Sequence, residues 1–251
     1  MTKTVVELLR KNIITGQLPA KQRLSEVDLA HHLQISRAPL REAFRVLEED
    51  QLVVSTPRRG CYVTDVSSED FVQLYQAREM IEVYAIDLLK VKGIKQLPEV
   101  EKALSDAAGL AMPGEKEPAE EKLDYILAFA AFHDAIVGSS ENRQLIHFYR
   151  RIGFHLARYQ FMYAYLPGLT VNSQRQHDEI CTVIKKGQYA HAKKLIKVHI
   201  KSFVDLMEDK INESMSTAPS FPYGPAVGQS DKPEDEKALV AKPFSEVKVE
   251  Q

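Results

Sequence analysis

Between residues 67 and 214 the apolar side chains keep one period. They return every three or four positions in runs of about 15–26 residues, and only short glycine, proline and serine stops interrupt them. No strand-like alternation recurs in this stretch. A chain patterned in this way has to stack helices against helices, and short connections make neighbours antiparallel. The runs fall at about 67–90, 97–111, 119–137, 142–165, 172–186 and 189–214. The first opens on Ser67-Ser68-Glu69-Asp70, a helix-start signature, and the fourth closes at Pro167-Gly168.

The first 66 residues follow a different grammar. Val5, Val6, Leu8, Leu9, Ile13 and Ile14 repeat at helical spacing and stop at Gly16. Ser25 caps a short helix with an acidic first turn, Glu26 and Asp28. Ser36 caps the next helix, whose apolar stripe is Leu40, Ala43, Phe44 and Leu47. Leu52-Val53-Val54 and Cys61-Tyr62-Val63 then read as strands around the turn Thr56-Pro57-Arg58-Arg59-Gly60. The order is helix, helix, turn, helix, hairpin. The expected fold class is therefore mainly α: an N-terminal winged helix-turn-helix over residues 1–66 and an all-α antiparallel bundle over 67–214. Residues 215–251 carry five prolines among charged residues and read as a disordered tail.

Charge is near balance, 33 basic against 35 acidic residues, which excludes a chain built as a nonspecific polycation. The balance is uneven along the chain: residues 1–66 carry ten basic and eight acidic residues, a net +2. Half of those basic residues sit at two places. Arg37, Arg41 and Arg45 stand four apart on one helix face, opposite Leu40, Phe44 and Leu47. Arg58 and Arg59 sit at the hairpin tip beside Gly60, where a missing side chain permits close approach to another surface. A basic helix after a short helix and a tight turn suits entry into the major groove, its first residues at the base edges. Cys61 and Cys181 lie far apart, which fits neither a disulfide scaffold nor a cysteine metal site. The N-terminus lacks the apolar core of a signal peptide and no apolar run spans a membrane, so a soluble cytoplasmic protein is expected.

Leu24-Ser25-Glu26-Val27-Asp28-Leu29-Ala30, Ile35-Ser36-Arg37-Ala38-Pro39-Leu40-Arg41-Glu42-Ala43 and Arg59-Gly60-Cys61-Tyr62-Val63 resemble the winged-helix domain of GntR-superfamily transcriptional regulators. The resemblance implies a DNA-reading surface made of Ser36, Arg37, Pro39, Arg41 and Arg45 on the recognition helix. Arg58, Arg59 and Gly60 would form a wing tip reaching the minor groove. It also implies a homodimer on a palindromic operator.

In the bundle, three histidines share one kind of setting. His133 lies four residues from both Phe129 and Val137; His177 is four before Cys181; His199 lies four from both Leu195 and Phe203. Each therefore sits on the apolar face of its own helix. Three imidazoles aimed at one interior point to convergence on a divalent metal, zinc or nickel, more than to three separately satisfied core histidines. His147, His155 and His191 lack such a setting and read as structural; His31 and His32 read as exposed.

Residues 74–82, Phe132-His133, Ser140-Glu141-Asn142, Gln176-His177 and Val198-His199 are similar to the FadR-like C-terminal ligand domain of the FCD type. That resemblance implies a divalent metal held by three His and one Asp, and a small carboxylate effector. The histidines match His133, His177 and His199. The Asp position is occupied by Phe129, which cannot ligate; Asp124, Asp134 and Asp178 point elsewhere. The metal is then held by three His plus water or effector carboxylate, or the domain works without metal, as in the fatty-acyl-responsive type. Arg78 is the first candidate for the effector carboxylate, by the fork of its guanidinium, against an alternative as a surface residue paired with Glu82 one turn on. Arg158 and Tyr159 are further effector candidates. The expected function is a DNA-binding regulator, a repressor, under effector control. Two other classes share part of the pattern: a three-His metal enzyme, which lacks any further catalytic motif here, and a helical interaction module.

Overall fold

The computed structural model describes residues 1–114, 116–163 and 169–216. The chain divides into compact units, one comprising Met1–Val66 and the other Ser67–Glu213. The expected tail beyond residue 216 and the Pro167-Gly168 stop lie outside the described residues.

The first unit runs α1 (Thr2–Ile14), β1 (Arg23–Leu24), α2 (Glu26–Leu33), α3 (Arg37–Glu49), β2 (Val53–Thr56) and β3 (Gly60–Val63). Val5, Leu9 and Ile13 repeat at four-residue spacing on α1 and are buried. They face the buried stripe Leu40, Ala43, Phe44 and Leu47 of α3, and the two helices pack together. A buried ion pair, Arg10 Nη2 to Asp50 Oδ2 at 2.6 Å, ties α1 to the end of α3. Ser25 caps α2 by accepting from the Asp28 N–H at 3.3 Å. At the other end Gln34 adopts a left-handed conformation, φ 53°, and so turns the chain sharply into α3.

The wing is a three-stranded antiparallel sheet in the order β1-β3-β2, where the sequence pattern predicts a hairpin alone. The additional strand pairs Arg23 with Tyr62 and Leu24 with Cys61. Two residues are too few to display the alternation by which a strand is recognised.

The second unit stacks six helices among the described residues: α4 (Ser68–Lys92), α5 (Pro98–Ala108), α6 (Ala119–Ser139), α7 (Arg143–Tyr163), α8 (Leu169–Lys185) and α9 (Tyr189–Ser216). Their ends follow local chemistry. The Ser67 hydroxyl accepts from the Asp70 N–H at 3.1 Å to start α4, and Gly93 at φ 67° ends it. The Asn142 side-chain Oδ1 accepts from the Gln144 and Leu145 N–H groups to start α7. α5 ends at Ala108, short of the expected 111. α4 packs on α6 and α7, and α5 packs on α6 and α8. No helix among the described residues is long and apolar enough to cross a membrane.

Candidate nucleic-acid interface and candidate metal centre

On α3 the buried stripe fixes which face is left outside. Arg37, Arg41 and Arg45 are all exposed on it. Arg41 Nε meets Glu26 Oε2 at 2.9 Å across the helix-turn-helix, and Arg45 Nη1 meets Glu42 Oε2 at 3.3 Å. Exposed pairs of this kind contribute little and exchange readily for phosphate oxygens. Ser36 stands at the N-cap but makes no capping bond with its hydroxyl, and Pro39 is half-buried in the first turn.

Pro57-Arg58-Arg59 forms the wing tip. The Arg59 N–H donates to the Thr56 carbonyl at 3.1 Å, and Arg58 holds φ 64°. Proline second and positive φ third is the type II turn, in a position that usually takes glycine or asparagine. Gly60 follows at φ 107°, and a Cβ there would stand 3.4 Å from Arg23 Nε. Arg23 therefore lies beside the wing tip, a placement that the hairpin reading did not include.

In the second unit the three histidines do come together. His133 on α6, His177 on α8 and His199 on α9 are buried, and one nitrogen from each lies within 4.8 Å of the others. His177 Nε2 and His199 Nε2 are 3.2 Å apart. Two nitrogens bound to one tetrahedral zinc at about 2.0–2.1 Å would stand about 3.3 Å apart, so this spacing, which is also that of a direct N–H···N hydrogen bond, is compatible with a shared ion. The Phe132 ring stacks on His177 at 4.1 Å and holds its plane.

Two of the rings are oriented by oxygen acceptors. His133 Nδ1 lies 2.8 Å from Glu82 Oε2, and His199 Nδ1 lies 2.8 Å from Gln176 Oε1. Both partners accept, so the proton sits on Nδ1 and the lone pair on Nε2. Burial lowers the pKa of His133 well below the usual imidazole value, and the Arg78 charge lowers it further. Burial does the same to His177 and His199, with neighbouring imidazoles adding to it. Neutral imidazole is the form that binds a metal. Three neutral nitrogen donors, buried and aimed at one point, fit a borderline divalent ion such as zinc or nickel.

The three aspartates are turned away, as the sequence pattern suggests. Asp124 is exposed, Asp134 Oδ1 pairs with Arg150 at 3.4 Å, and Asp178 Oδ1 accepts from Gln174 at 3.4 Å. Phe129 contributes a ring 6.4 Å from that of His177.

A cavity of about 70 Å³ borders the histidines and is also lined by Arg78, Phe129, Gln160 and Ser173. Arg78 is paired with Glu82, Nε to Oε1 at 2.7 Å, but not on the surface: the two side chains are 4% and 0% exposed. Burial alone would lower the Arg78 pKa; the Glu82 carboxylate outweighs that and holds the guanidinium charged. Arg158 and Tyr159 are buried but do not line this cavity. The Tyr159 hydroxyl instead donates to Asp70 Oδ2 at 2.7 Å, at the start of α4. The next residue, Gln160, is the one that reaches the cavity.

Sequence reasoning missed Tyr149, Gln176 and Gln160, and read Glu82 only as a partner for Arg78. The available signal was the Arg78–Glu82 spacing inside an apolar stretch containing Ile81, Ala85 and Ile86. His155, read as structural, is buried with Nε2 3.2 Å from Asp70 Oδ2; His147 and His191 are exposed.

Comparison with known proteins divides the chain similarly. Residues 1–63 match the family "Bacterial regulatory proteins, gntR family", and residues 73–202 match the FCD domain. An uncharacterized HTH-type transcriptional regulator of Bacillus subtilis, YdhC, is 26% identical over 82% of this chain and 90% of its own. The HTH-type transcriptional repressor GlaR of Escherichia coli is 25% identical over 80% of this chain and 92% of its own. A solved structure of a putative GntR regulator from Rhodococcus sp. RHA1 superimposes with a TM-score of 0.59 at 26% identity, covering 86% of this chain and 98% of that one.

Proposed function

Because this chain belongs to the FCD-domain transcriptional regulators with a gntR-family head, and is not an enzyme, we propose that it is a repressor whose operator binding a small carboxylate controls, together with a zinc or nickel ion. The observation that carries the ligand-control reading is the convergence of His133, His177 and His199 beside a cavity walled by Arg78. One relative is itself a repressor by name.

In this reading residues 1–66 are the reading head, residues 67–214 bind the effector and dimerise, and residues 215–251 are a tail. Arg37 and Arg41, flanked by Ser36 and Pro39, meet the major groove; Arg45 meets the backbone; Arg58, Arg59 and Gly60 meet the minor groove. Two heads related by a twofold axis read a palindrome in the cytoplasm. The metal, held by the three histidines, supplies a positive centre with a position left for an oxygen ligand. Arg78 offers its guanidinium to the effector carboxylate, while Arg158 and Tyr159 act from behind the cavity wall. Effector binding biases head placement by a coupling of about 1–3 kcal/mol.

The test is fluorescence anisotropy on DNA from upstream of the chain's own gene, titrated with a panel of small carboxylates with and without zinc. Tight, salt-dependent binding that one carboxylate shifts supports the reading. Tight binding that no carboxylate alters, with or without metal, contradicts effector control.

A further inference from the structure

Glu82 is the acid on which the centre turns, although it is not placed to ligate. It is fully buried, and its carboxylate serves three helices at once. Oε1 accepts from Arg78 Nε on α4 at 2.7 Å and from the Tyr149 hydroxyl on α7 at 3.0 Å. Oε2 faces His133 Nδ1 on α6 at 2.8 Å. A buried carboxylate has to be paired, and Arg78 alone would satisfy the charge. The bond to His133 is additional, and it does something the ion pair does not. An imidazole can turn over about its Cβ–Cγ bond, which puts carbons where its nitrogens stood, and its proton can move between Nδ1 and Nε2. A fixed acceptor at Nδ1 removes that freedom and leaves Nε2 facing His177 and His199. The His133 ring then lies nearly parallel to that of His199, 23° at 5.1 Å between centroids, and edge-on to that of His177.

We propose that Glu82 is a positioning residue of the three-histidine centre: it sets the tautomer and rotation of His133 while Arg78 cancels its charge. The proposal rests on the metal reading above. Because the pair is neutral, what Glu82 supplies is orientation rather than attraction for a cation. Gln176 does the same for His199 through a neutral amide.

The experiment uses the full chain in an Arg78→Met background, so that no unpaired guanidinium is left buried. Zinc affinity is measured by competition with a chromophoric chelator, and the His133 tautomer in metal-free protein by long-range ¹⁵N NMR. R78M/E82A is expected to bind zinc about 10–100-fold more weakly than wild type and to populate both tautomers. R78M/E82Q, which restores an acceptor without the charge, is expected to recover most of the affinity and the Nδ1–H tautomer. Equal affinity and an unchanged tautomer in R78M/E82A would overturn the proposal and leave Glu82 as a staple between helices. If R78M/E82A does not fold, E82D carries the same test by shortening the reach: affinity must fall while thermal melting is kept. A wild-type chain that takes up no zinc defeats the metal reading, and the tautomer measurement still decides the role of Glu82.

Discussion

Arg41→Ala is the sharpest probe of the reading head. Its guanidinium is exposed and pairs with Glu26 at 2.9 Å, so the folded head loses less than about 1 kcal/mol when it is removed. DNA loses more. A bidentate base contact is worth about 1–3 kcal/mol, and a dimer presents the residue twice, which gives about 2–6 kcal/mol. At about 1.4 kcal/mol per tenfold, affinity should fall between roughly 30-fold and 10⁴-fold. Anisotropy at several salt concentrations separates the two kinds of contact. An unchanged salt slope marks a base contact; a slope reduced by about one per head marks a phosphate contact. Glu26→Gln works in the opposite direction, because it removes the carboxylate that competes with DNA for Arg41, and it should tighten binding several-fold. Affinity unchanged in Arg41→Ala, at an unchanged melting temperature, would refute the placement of α3 against DNA.

Three further outcomes follow from the geometry. In a double-mutant cycle on metal-stripped protein, Arg78→Met alone should destabilise by about 3–5 kcal/mol because it strands buried Glu82, and adding Glu82→Gln should recover most of that; additive losses in denaturant melts would contradict a buried pair. The three histidines have folded pKa values below the unfolded value of about 6.5, so the folded state binds fewer protons. Their contribution to stability is complete above about pH 6.5 and is lost as pH falls below it, and a melting temperature flat between about pH 8 and 5 would rule this out. Gly60→Val forces a β-branched residue into φ 107° against Arg23 and should cost the head about 1–3 kcal/mol, read by thermal melting against wild type.

The legibility of this chain tracks how local each feature is. The histidines declared themselves because each repeats with apolar residues four positions away on its own helix, a spacing set by the turn of the helix. Their orienting partners did not. Glu82 is 51 residues from His133 and Gln176 is 23 from His199, and only the bundle brings them together. The same holds for Tyr149, which is 67 residues from Glu82. Arg158 and Tyr159 look suited to an anion by residue type, yet helix rotation turns the neighbouring Gln160 to the cavity instead. In the head, the basic stripe on α3 was readable from periodicity alone. The third strand was not, because two residues have no period.

The most direct test of the account is a titration of metal-stripped protein with zinc, by isothermal calorimetry, for wild type and for H133A, H177A and H199A. One zinc per wild-type chain, with affinity lost in each variant while melting remains cooperative, is the predicted result. No uptake by wild type, or uptake indifferent to all three substitutions, would contradict a metal-linked effector domain.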